Sequence, residues 1–248
     1  MSLEINDLIG RMEALEAELV AADDAKRYFH STYLRTTRAV GQAIDAGQFI
    51  DGPWVERWDV IFADLYLDAL ASYRDHGTAP GPWQTAFDRA RDSSAPPLTQ
   101  VLLGMNAHIN YDLPQALIAA ITPLEFSDPE VLERREQDHR RIDSVLANRV
   151  ADEDRELEKW EAPGSRTVLD RLLKPLNTLG TKRFLRESRA KVWHNAHRLN
   201  LARLQSDQAY ESELRRLEVL AQARVADLAA PGQVLLRLAR RGFGVELT

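Results

Sequence analysis

Apolar residues recur at a spacing of three and four along nearly the whole chain, while sustained period-two alternation and Asn-Gly or Asp-Gly hairpin turns are missing. A chain written this way buries helix stripes against one another, so the expected fold is all-α: a single-domain bundle of about eight to ten helices over residues 1–248. Ile5, Leu8, Met12, Leu15 and Leu19 define a first amphipathic helix. The next is expected from about Asp24 to Ala46, with Gly47 as its C-cap, and a third from Pro53 to His76, stopped by Gly77. A short helix over Trp83–Arg91 and the most apolar one, Leu98–Ile121, follow. Ser127-Asp-Pro-Glu opens a long charged helix reaching Trp160, and Pro163-Gly164-Ser165 breaks it. Further helices are expected over 166–174, 182–204, 207–229 and 234–240. Residues 128–160 could project as an arm or pair with a second subunit in a homodimer, although a solvated face is the simpler expectation.

Composition removes several classes of function. The chain has no cysteine, so disulfides, thiolate metal sites and cysteine nucleophiles are absent. A net charge of −6 and the lack of a basic, aromatic-interleaved stripe argue against nucleic acid. No Gly-x-Gly-x-x-Gly, Walker-type or Gly-x-Ser-x-Gly motif occurs, so no nucleotide cofactor and no α/β-hydrolase chemistry is expected. The start lacks a secretory pattern and no apolar run suffices for a membrane span, from which cytoplasmic residence follows by elimination.

Candidate chemistry lies in polar residues placed on apolar helix faces. In the third helix Asp59 falls among Val55, Phe62 and Tyr66, away from the solvated Arg57, Asp64 and Asp68. A buried carboxylate costs several kcal/mol unless it is partnered, and Arg135 is one candidate partner. In Gly104-Met-Asn-Ala-His-Ile-Asn-Tyr-Asp-Leu-Pro114, His108 and Asp112 stack one turn apart at the edge of a core stripe. Such a pair can ligate a metal, or act as a base and its orienter. Pro114 sits inside the helix, where a kink is expected. His139 projects beside the stripe of the long charged helix, and Asn195 and Trp193 lie on apolar faces of the later one, whereas His194 is expected in solvent. The terminal Arg240-Arg241-Gly-Phe-Gly reads as a helix end and tail.

The run Gly-Met-Asn-Ala-His-Ile-Asn-Tyr-Asp-Leu-Pro, with Arg57-Trp-Asp-Val-Ile-Phe-Ala-Asp-Leu-Tyr and Trp193-His-Asn-Ala, resembles an actinobacterial helical family of unknown function. The resemblance spans roughly Leu8 to Leu204 and implies that Asp59, Tyr66, Asn106, His108, Asn110, Asp112, Trp193 and Asn195 hold the family's characteristic positions; it implies no reaction. Locally, His-x-x-x-Asp near a proline is similar to the zinc-binding helix of helical phospholipases C and single-strand nucleases, which use three zinc ions and many more histidines than the six here.

Three functions fit this sequence. The first is a metal-dependent enzyme acting on a small or lipid-like molecule, of hydrolase or oxidase type. Its ligands would be Asp59, His108, Asp112 and His139, its catalytic groups His108, Asp112 and Asp59, and its metal zinc, iron or manganese. Asn106, Asn110, Tyr66, Trp193 and Asn195 would support the ligands or line the pocket. The second is a metal-free pocket of isomerase or cyclase type, with His108 and Asp59 as acid and base and Tyr66, Trp58 and Trp193 as walls. The third is a structural or partner-binding helical protein.

Overall fold

The computed structural model describes residues 3–92, 95–160, 174–230 and 234–248, and all regular structure among them is helical. In chain order the helices are α1 (Leu3–Ala21), α2 (Arg27–Asp45), α3 (Gly52–His76), α4 (Gly81–Arg89) and α5 (Pro97–Ala107). A π-helical turn (His108–Asp112) then runs directly into α6 (Leu113–Ala120). The series ends with α7 (Pro123–Phe126), α8 (Pro129–Trp160), α9 (Lys174–Gln205), α10 (Asp207–Ala229) and α11 (Val234–Arg241). The expected break at 163–165 and most of the expected 166–174 helix lie outside the described residues. No helix among the described residues is long and apolar enough to cross a membrane.

Local chemistry sets the boundaries of α3, which carries much of the site. The Asp51 side chain accepts from the Trp54 amide, and Pro53 occupies the first turn, where its missing N–H costs nothing. At the other end Gly77 takes a left-handed conformation (φ 72°) that a side chain would resist. α8 fixes the loop before α3: the Asp138 carboxylate accepts the amides of Ile50 and Asp51 at 2.7 and 2.9 Å. Arg135 donates to Asp51 and Glu125 and covers the Trp54 ring. These polar ties set where the Trp58–Asp59 step of α3 meets α8.

Two apolar clusters form the core. One gathers Trp54, Trp58, Leu117, Ile121, Val192, Leu199 and Leu217. The other gathers Leu8, Met12, Leu34, Leu70, Trp83, Leu103 and Val225. The segment α5–π turn–α6 belongs to both, because Leu103 and Ala107 pack in the second cluster and Leu113 and Leu117 in the first. The π turn therefore sits where the clusters meet. It also replaces the expected kink. The Leu113 amide donates to the His108 carbonyl five residues back, and this wider turn delivers Pro114 into the first turn of α6.

Candidate functional site

The π turn brings His108 and Asp112 together: Nδ1 of the imidazole lies 2.8 Å from Oδ2 of the carboxyl, with both residues almost fully buried (3% and 2% exposed). The same Oδ2 accepts from the Trp83 indole N–H of α4 at 2.8 Å. Burial pushes the Asp112 carboxyl well up and the His108 imidazole well down, the Trp83 hydrogen bond opposing the first shift only in part. Both groups are thus driven towards neutrality. A neutral pair carries two protons, one between Nδ1 and the carboxyl and one on Nε2. Loss of one leaves a carboxylate that orients an imidazole with a free Nε2 lone pair. The dyad can therefore give or take one proton at Nε2.

Aromatic side chains fix the ring. Phe62 stacks on His108 at 3.6 Å between centroids, with only 5° between the planes, and Tyr33 meets it edge-on at 4.6 Å. Nε2 has no hydrogen-bond partner among the described residues, and His108 lines a cavity of about 140 Å³.

The same cavity receives Asp59 from α3, one turn before Phe62. Its carboxyl is buried and its Oδ2 is unpartnered. The expected pairing with Arg135 does not occur, because that guanidinium is committed to Asp51 and Glu125. Without a cation to offset burial, the Asp59 carboxyl rises from 3.8 to about 7. Its charge, with that of Asp112, reinforces the burial that holds the Tyr33 phenol far above its ordinary value.

α8 and α9 close the other side. His139 accepts the Trp193 indole N–H on Nδ1 at 2.9 Å, which leaves the ring proton on Nε2. Burial and the charges of Arg189 and Arg140 lower this imidazole to about 3, so it stays neutral. Trp58 packs on it at 5.1 Å. Next to this group Arg189 is ion-paired with Asp143, and Ser188, its hydroxyl buried, lines the same cavity.

Of the residues expected at a site, Asp59, His108, His139 and Trp58 share the cavity wall. Asp112 stands behind His108, and Trp193 behind His139. Tyr66 also stands one layer back. His30 donates Nε2–H to the Met12 carbonyl, so its Nδ1 accepts the Tyr66 hydroxyl proton at 3.0 Å. The three asparagines turn to the C-terminal tail. Asn106 and Asn110 both donate to the Phe243 carbonyl, and Asn110 also accepts from the Val245 amide. Asn195 donates to the Val245 carbonyl and accepts from the Leu247 amide. Asn110 and Asn195 thus satisfy alternate residues of the tail as a neighbouring strand would. His194, expected in solvent, reaches the Leu247 carbonyl at 2.8 Å. The tail is therefore part of the structure, with Phe243 and Leu247 fully buried.

Two features escaped the sequence reading. Trp83 stood in the sequence only as the start of a short helix, yet a buried indole N–H needs an acceptor, and here it finds Asp112. Ser188 and Arg189 gave no signal beyond their position before Val192. For the metal reading, no three His, Asp or Glu side chains among the described residues gather closely enough to hold one ion. Asp112 Oδ2, moreover, is already engaged by Trp83 and His108.

Residues 5–231 match a family model described as a family of unknown function (DUF5995). Neither curated proteins nor solved structures give a match.

Proposed function

The chain belongs to this family of unknown function, and we propose that it is an acid–base enzyme that moves a proton on a small, largely apolar molecule held between α2, α3, α5, α8 and α9. One observation carries this reading. The unpartnered Nε2 of His108 and Oδ2 of Asp59 belong to residues lining one cavity, both of them deeply buried. A carboxyl raised to about 7 is matched to proton transfer near neutral pH, where it is protonated about as often as not. The His108–Asp112 dyad would serve as the second proton carrier, with Trp83 and Phe62 holding it in place. A cavity of about 140 Å³ suits about one six-membered ring, since an apolar cavity of roughly 150 Å³ accepts benzene.

A substrate-independent experiment tests the reading. A cell extract is incubated in D₂O with the wild-type protein, and its small metabolites are weighed by mass spectrometry. At least one metabolite of about ring size should gain a deuterium with the wild type, and none should with Asp59→Asn or His108→Phe of native circular dichroism. If the wild type adds no deuterium to any metabolite, the proposal fails.

A second reading rests on the free Nε2 alone. An imidazole whose Nδ1 is tied to a buried carboxyl is arranged as metal-binding histidines usually are, so His108, joined by at most one further side chain such as Asp59, would be the candidate anchor for zinc, iron or manganese. Elemental analysis separates the two readings: one metal per chain, lost in His108→Ala, would replace the metal-free mechanism.

A further inference from the structure

The unsatisfied polar atoms around the cavity are unequal in kind. Besides Asp59 and His108, the side chains of Tyr33, Trp58, Asp143, Ser188 and Arg189 each present a buried polar atom without a hydrogen-bond partner among the described residues. The indole Nε1–H of Trp58 and the Nε–H of Arg189 can only donate. His139 adds another donor, because Trp193 occupies its Nδ1 and leaves the proton on Nε2. These groups stand together: Trp58 packs on His139, and the charge of Arg189 acts on that same imidazole. The Asp143 carboxylate is taken by Arg189. This side of the cavity therefore offers donors and asks for an acceptor.

Net charge narrows the acceptor further. Arg189 is neutralised by Asp143, and Arg140 is paired with Glu136, so among the described residues no uncompensated cation lines the space. A carboxylate ligand would be buried without a counter-charge and near Asp59, at a cost of several kcal/mol. An uncharged carbonyl needs only the donors.

We infer that the molecule taken by this cavity is an uncharged, ring-sized carbonyl compound, its oxygen held by Trp58, Arg189 and His139 and its apolar body lying against Phe62, Ile109 and Leu113. The inference rests on the proton-transfer reading and deepens it, because a carbonyl is the group that acidifies adjacent C–H bonds for a carboxylate base.

Binding of three shape-matched probes tests it by calorimetry at pH 6: cyclohexanone, methylenecyclohexane and cyclohexanecarboxylate. The ketone should bind about three- to tenfold more tightly than the hydrocarbon, the worth of one net hydrogen bond, and the carboxylate more weakly than either. In Trp58→Phe, which keeps an aromatic body and loses the donor, the ketone-to-hydrocarbon ratio should fall towards one with hydrocarbon affinity little changed. If that variant does not fold, the wild-type ratio decides alone. Equal binding of ketone and hydrocarbon, or tightest binding of the carboxylate, overturns the inference while leaving the cavity as a ligand site. No binding of any probe overturns the inference and removes the ligand site as well.

Discussion

Replacing Asp59 by asparagine should make the protein more stable relative to wild type as the pH rises, and by an amount the structure sets. In the folded chain the carboxyl loses its proton at about 7, against 3.8 for an ordinary aspartate, because it is buried without a cation. Between these two pH values the native state holds a proton that the unfolded chain has released, so wild-type stability must fall as pH rises through this window. Below 3.8 both states are protonated, and above 7 both are ionised, so the contribution is flat on either side. At 1.36 kcal/mol per pH unit, the rise from 3.8 to about 7 amounts to about 4 kcal/mol. In a chain of this size that corresponds to roughly 8–16 °C in melting temperature. Asparagine has the same shape and no titration, so its own hydrogen-bonding mismatch adds only a pH-independent offset. Urea unfolding of both proteins at half-unit steps from pH 3.5 to 8.5 gives the difference curve directly. It should start flat, climb with a slope near 1.4 kcal/mol per pH unit, and level off above 7. A difference that stays constant across the range would show that Asp59 is solvated or paired, and the acid–base centre would lose its base.

Three further outcomes follow from contacts already described. Trp83→Phe removes the donor on Asp112; stability should drop by about 1–3 kcal/mol in urea unfolding, and the Asp112 carboxyl should titrate still higher by carbon-detected NMR. Gly104→Ala should cost about 1–3 kcal/mol and weaken probe binding in calorimetry, because a methyl there overlaps the Phe29 ring, which lines the cavity. Ending the chain after Arg241 removes the buried Phe243 and Leu247 and the partners of Asn106, Asn110 and Asn195; a loss of about 3–5 kcal/mol is expected, together with faster amide exchange across 108–112.

The helices were legible wherever end chemistry and periodicity agreed, as at Pro53 and Gly77 around α3. The burial of Asp59, His108 and Asp112 followed from helix projection, since the first lies on an apolar stripe and the other two at the edge of one. What projection could not supply is the register change at His108–Asp112. A π turn adds one residue to a turn without altering which residue types appear, so Pro114 was read as the site of a kink. Partners distant in sequence were equally hidden. Asn110 and Val245 are 135 residues apart, and nothing in either segment names the other. The same amide chemistry that marks a pocket also suits a backbone clamp, and only coordinates separate the two.

The clamp has a consequence for the order in which the molecule becomes competent. Residues 243–247 leave the ribosome after every helix whose asparagines they satisfy. The nascent helices can collapse on one another as they emerge, but the turn that seats the imidazole is not tied down until translation has passed Val245. The helices thus pack before the turn is fixed, and a chain halted before Phe243 would carry Asn106 and Asn110 without the backbone partners they have here.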